Sequence, residues 1–176
     1  MSRLPALLLI FAAAHAGAQT MKPGQWELNS KMKSANAEVD QAMTAALQQL
    51  NNLPPAQRQQ MEQMMAQNGA TMPRLAGNGG VVVNACITPE MAARHELPTG
   101  QQGQCSSHSQ QVNGGMNVSF SCTNPPSSGQ GQVRFQGDMA FTMNMNVTTS
   151  ARGAPEQMTV ETAGRWLAPS CAQGQR

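Results

Sequence analysis

The sequence predicts a mainly β domain with a helical insertion (α+β). The expected architecture is an antiparallel meander of about seven strands, curled into a sheet or partly open barrel. A helical hairpin is expected between strands 1 and 2. Three observations carry this. Apolar and polar residues alternate with period two in several short runs. An Asn113-Gly114 dipeptide separates two such runs. A Gln/Ala/Met-rich stretch with helical spacing, broken by Pro54-Pro55, interrupts the alternation early in the chain.

Residues 1–18 read as a cleavable signal peptide. Arg3 precedes an apolar run through Ala14 that is too short to anchor in a bilayer. Ala16-Gly17-Ala18 then offers the small residues a signal peptidase reads, giving a mature start at Gln19, with Ala14-His15-Ala16 as second choice. Residues 19–176 are expected to form a single disulfide-bonded domain outside the cytosol, in the periplasm. No later run is apolar enough for a membrane-spanning helix.

The first strand is expected over 24–33, where Trp26, Leu28 and Met32 alternate with Glu27, Asn29, Lys31 and Lys33. The helical insertion follows over about 36–68. Val39, Met43, Ala46, Leu47 and Leu50 share one helical face. Pro54-Pro55 breaks that helix and opens a second, in which Met61, Met64 and Met65 share a face. Asn68-Gly69 is a suitable stop. Residues 73–80 read as loop, 81–88 as the second strand, and 89–94 as a helical turn.

Asn113-Gly114 favours a two-residue type I′ turn. With that turn Val112 faces Gly115 and Cys105 faces Cys122, at a non-hydrogen-bonded position where α-carbons lie closest. Gly115 also permits a three-residue loop that would offset the pair by one. Asn124 to Gly129, with Pro125-Pro126, reads as a loop. The long alternating run over 130–149 exceeds a usual strand. A hairpin at Gln136-Gly137-Asp138 is preferred, with Phe135 opposite Met139 and Val133 opposite Phe141. One strand bent at Gly137 is the alternative. Met158, Val160 and Trp166 mark the last strand.

The four cysteines, Cys86, Cys105, Cys122 and Cys171, form neither a CxxC pair nor the close pairs of a zinc knuckle. An even count in an exported chain reads as two disulfides. If Cys105 pairs with Cys122, elimination pairs Cys86 with Cys171.

Lys22-Pro23-Gly24-Gln25-Trp26-Glu27, the Gln/Met-rich Pro-Pro helix and Cys86-Ile87-Thr88-Pro89-Glu90 resemble bacterial domain-of-unknown-function family 3617. So do Phe135-Gln136-Gly137-Asp138 before a Met-rich strand, and Arg165-Trp166-Leu167 with Cys171 shortly after. The resemblance covers almost all of the mature chain. It implies an exported bacterial protein with paired cysteines and supplies no catalytic residues.

Composition narrows the function classes. Charged residues are 11% of the chain and the formal net charge is +2, which gives no electrostatic footprint for nucleic acid. Aromatics are 3%, so stacking platforms for bases or sugars are hard to assemble. No phosphate loop, dinucleotide fingerprint or zinc-protease helix is present. His95 and His108 lack a neighbouring nucleophile–base arrangement. No cofactor is implied and an enzyme ranks last. Fourteen methionines admit a Cu(I) reading, in which Met139, Met143 and Met145 on one strand face act as soft ligands. The simpler reading makes them adaptable core filler in place of the missing aromatics. The function expected first is a non-catalytic periplasmic module that binds an apolar ligand or an exported partner.

Overall fold

The computed structural model describes residues 21–67, 70–77, 79–97, 104–150 and 153–171. The expected signal peptide, its cleavage site and the Asn68-Gly69 helix stop lie outside the described residues.

The elements in chain order are β1 (Gly24–Ser34), α1 (Ala37–Asn51), α2 (Pro55–Gln67), β2 (Arg74–Leu75), β3 (Val81–Ile87) and α3 (Pro89–Arg94). They continue with β4 (Cys105–Val112), β5 (Gly115–Thr123), β6 (Pro126–Phe135), β7 (Ala140–Thr149) and β8 (Glu156–Ala168). All eight strands form one antiparallel sheet in the order β2-β3-β1-β8-β7-β6-β5-β4. The two end strands do not meet, so the sheet is open. The fold is mainly β with a helical insertion.

Only β4 to β8 form a meander. β1 docks on the last strand, β8, through ten paired residues, and β3 docks on β1. This placement buries Trp26 from both sides, opposite Ala85 and Trp166. An eighth strand, β2, arises inside the stretch 73–80 that reads as loop, where Arg74 and Leu75 pair with Val82 and Val81.

The Asn113-Gly114 turn sets the expected register: Val112 pairs with Gly115 and Cys105 with Cys122. The turn is not the expected type I′, which needs positive φ at both central residues: Gly114 takes φ 75° and Asn113 does not enter the positive-φ region, but the two-residue length that fixes the register is kept. Two other expectations are corrected. The 124–129 loop shrinks to a tight turn, because β6 already begins at Pro126. Proline fits the first position of a strand. Gly129 belongs inside the sheet, since the Phe120 ring of the paired strand occupies the space its Cβ would take.

The second correction is the β6–β7 hairpin. It pairs Phe135 with Phe141 and Val133 with Met143, two residues on from the expected register. The turn is longer than Gln136-Gly137-Asp138: the Gln136 N–H donates to the Ala140 carbonyl (2.9 Å), and Gly137 takes φ 71°. A slip of two preserves the face of every side chain, so apolar residues still meet apolar residues.

The sheet curls around its apolar face. Ile87 of β3 and Met116 of β5 have four strands between them in the sheet order, yet both join one core with Trp26, Ala92, Val133 and Phe141. α3 plugs this curl. Thr88 caps it by accepting from the Met91 N–H (3.2 Å), Pro89 occupies the first turn, and His95 ends it in the left-handed region (φ 55°). Met91, Ala92 and Leu97 then pack on the sheet. In the helical hairpin, by contrast, α1 lies against β1 and β2. α1 buries only Val39, and α2 buries no residue.

Candidate functional site

Cross-strand pairing resolves the concave face into rows. Nearest the plug stands Leu28–Gly164–Phe141–Phe135. The next row holds Thr162, Met143, Val133 and Met116, and the one after it Met32, Val160, Met145, Gly131 and Val118. The last apolar row is Met158–Val147–Gly129–Phe120. α3 covers the first rows. The apolar lining continues beyond it as a trough.

A cavity of ≈180 Å³ lies where the plug meets this trough. Its sheet side is Met116, Val118, Phe120, Met143 and Met145, with Ser107 and Ser109 of the edge strand. Its other side is the Arg94–Leu97 segment. His95 reaches the edge strand, its ring nitrogens 3.0 and 3.2 Å from the Gln111 amide nitrogen. Arg94 pairs with Glu96 (3.2 Å) at the rim, where both are well exposed, so the pair contributes little beyond neutralising the mouth.

The opposite face of the sheet is polar. Lys31–Glu161–Asn144–Gln132–Asn117–Gln110 form one cross-strand row and Lys33–Thr159–Asn146–Gln130–Ser119–His108 the next. Two larger hollows, ≈630 and ≈460 Å³, lie there and share Ser119, Gln130 and Asn146. They are shallow troughs over solvated side chains. The smaller cavity is the better site, because it is walled on two sides and combines an apolar sheet wall with polar groups from the Arg94–Leu97 segment and the edge strand.

Residues 21–171 match the family described as "Protein of unknown function (DUF3617)". The chain belongs to this family. It is also 35% identical over 144 residues to a Pseudomonas putida protein named "Uncharacterized protein in lpd-3 5'region", covering 80% of this chain and 96% of that one. No solved structure matches it.

This DUF3617 chain carries two disulfides, Cys105–Cys122, as the turn register requires, and Cys86–Cys171, as elimination then gives. They fit a compartment outside the reducing cytosol. Among the described residues no helix is long and apolar enough to cross a membrane. The structure separates the methionines singled out as copper ligands. Met145 is buried in the trough wall (9% exposed), Met143 is half-buried beside it, and Met139 stands in the β6–β7 turn, 47% exposed. A strand rise of about 3.4 Å per residue puts Met139 and Met145 roughly 20 Å apart along the chain, so the three do not converge on one ion. Among the described residues no three His, Cys, Asp or Glu side chains gather in a metal-binding group. His108 belongs to the polar-face row opposite Ser119, though both residues also border the cavity, and His95 stands at the cavity mouth.

α3 as the plug is the feature least evident from sequence. Its signals were present: Thr88-Pro89-Glu90 as a helix start, with apolar Met91, Ala92 and Leu97 following. Their destination depends on the sheet's curl, which no local pattern encodes.

Proposed function

We propose that this DUF3617 protein is a non-catalytic periplasmic binding module that holds an apolar ligand, or an apolar segment of an exported partner, in the concave trough. One observation carries the reading: the apolar lining continues past the α3 plug into a walled cavity. Met and Phe dominate that lining and adapt to irregular contents. Ligand pockets ordinarily span about 300–1,000 Å³, so a cavity of ≈180 Å³ suits a short acyl or aromatic group better than a whole cofactor.

The test is native mass spectrometry of protein purified from its own periplasm, wild type beside Val118→Glu. The variant sets a carboxylate in the trough wall. The expected result is an apolar adduct on the wild type and its loss from the folded variant. Wild type without an adduct, or an adduct unchanged in Val118→Glu, overturns the proposal. A retained copper mass would put the metal reading first.

A further inference from the structure

The two edges of the sheet are built differently. β2 is only two residues long, follows Pro73 directly and exposes Arg74. Short length, proline and an exposed cation are the means by which edges are kept from pairing. β4 is eight residues long, pairs with β5 without a bulge, and contains no Pro, Lys, Arg, Asp or Glu. Every residue from Ser106 to Val112 is exposed.

Pairing parity fixes which backbone groups of β4 face outward. Val112 pairs with Gly115 across the two-residue turn, and the Thr123 N–H donates to the Gln104 carbonyl (3.0 Å). Even-numbered residues therefore bond to β5. The N–H and C=O groups of Cys105, Ser107, Ser109 and Gln111 point away from it. Among the described residues nothing bonds to these groups.

We propose that β4 is a dimerisation edge whose partner is β4 of a second copy, paired antiparallel about a twofold axis at His108. That register sets Cys105 against Gln111 of the second copy and Ser107 against Ser109. It engages all four outward-facing residues of each strand. A slip of two residues either way leaves one of them unpaired. The choice of a second copy rests on self-complementarity: the side chains are Ser, Gln and His, so facing itself the strand opposes no fixed like charges. The blunted β2 edge stops growth at two chains, which gives a closed isologous dimer.

The experiment uses the oxidised full-length mature chain in sedimentation velocity across a concentration series. Wild type is expected to dimerise. Ser109→Pro removes an outward N–H and leaves the β4–β5 ladder intact, so it should be monomeric with an unchanged far-UV spectrum. Should that variant misfold, Ser107→Lys with Ser109→Lys repeats the test without altering the backbone. His108→Cys should give a covalent dimer on oxidation, because the residue would meet its own copy at a close non-hydrogen-bonded position. Wild type monomeric at every concentration overturns the proposal, including when an extended foreign peptide binds the edge instead. A dimer that survives the edge variants, or that does not cross-link through position 108, overturns it too.

Discussion

The two disulfides close very different loops, and their removal should show it. Cys86–Cys171 spans 85 residues and Cys105–Cys122 spans 17. The chain-entropy argument assigns about 4.6 kcal/mol to the first and about 3.1 kcal/mol to the second, a gap of roughly 1.5 kcal/mol. Two structural facts widen it. Cys86 is 8% exposed, so Cys86→Ala also leaves unfilled space in the core. Cys105 and Cys122 already sit in a hairpin closed by Asn113-Gly114, and residual hairpin in the unfolded chain reduces what the crosslink adds. The assay is thermal and urea unfolding of Cys86→Ala/Cys171→Ala beside Cys105→Ala/Cys122→Ala. For a domain of this size the gap corresponds to about 3–6 °C in Tm. Equal midpoints, or a lower midpoint for the hairpin pair, would refute the loop-length reasoning and show that tying the edge strand matters more than tying the tail.

Two further outcomes test the trough and its plug. Met143→Leu with Met145→Leu conserves volume and should cost less than about 1.5 kcal/mol per site in urea unfolding, with copper tolerance of the cells unchanged. Thr88→Ala removes the cap of α3 and should cost about 1 kcal/mol. The exposed Glu90 carboxyl is held below its ordinary value of 4.5 by a backbone N–H and then by the Thr88 hydroxyl. A depressed folded-state value favours the fold above the unfolded value and fades as pH falls through the folded one. In Thr88→Ala the Glu90 titration, followed by NMR, should therefore move up.

Sequence alone reached the elements whose cause is local. Asn113-Gly114 dictated a register that placed Cys105 on Cys122 eight pairs away, because a two-residue turn leaves no freedom in an antiparallel ladder. The alternation of Phe135, Phe141, Met143 and Met145 put them on the right face even where the turn length was misjudged, since a slip of two keeps parity. What stayed hidden was set by distant partners. Pro126 and Gly129 carry loop chemistry, yet β5 and β7 flank them and Phe120 covers the glycine. β2 exists only because β3 offers it an edge. α3 is six residues long, too short to announce a face, and its role as plug follows from the curl that brings β3 and β5 into one core.

The glycines of the concave face explain why that curl leaves a trough. Phe141 lies over Gly164 and Phe120 over Gly129, so two aromatic rings lie flat against neighbouring strands instead of standing into the interior. At Gly131, between Val118 and Met145, a Cβ would meet the backbone of β7 at Asn144 and Met145. Close backbone approach thus excludes a side chain at the middle of the third row, where a filled barrel would need one. With the rings lowered and that position empty, the rows beyond the plug cannot fill the space between them. The cavity beside Val118, Phe120 and Met145 follows from tight strand packing, and the adaptable Met side chains line what the glycines leave open.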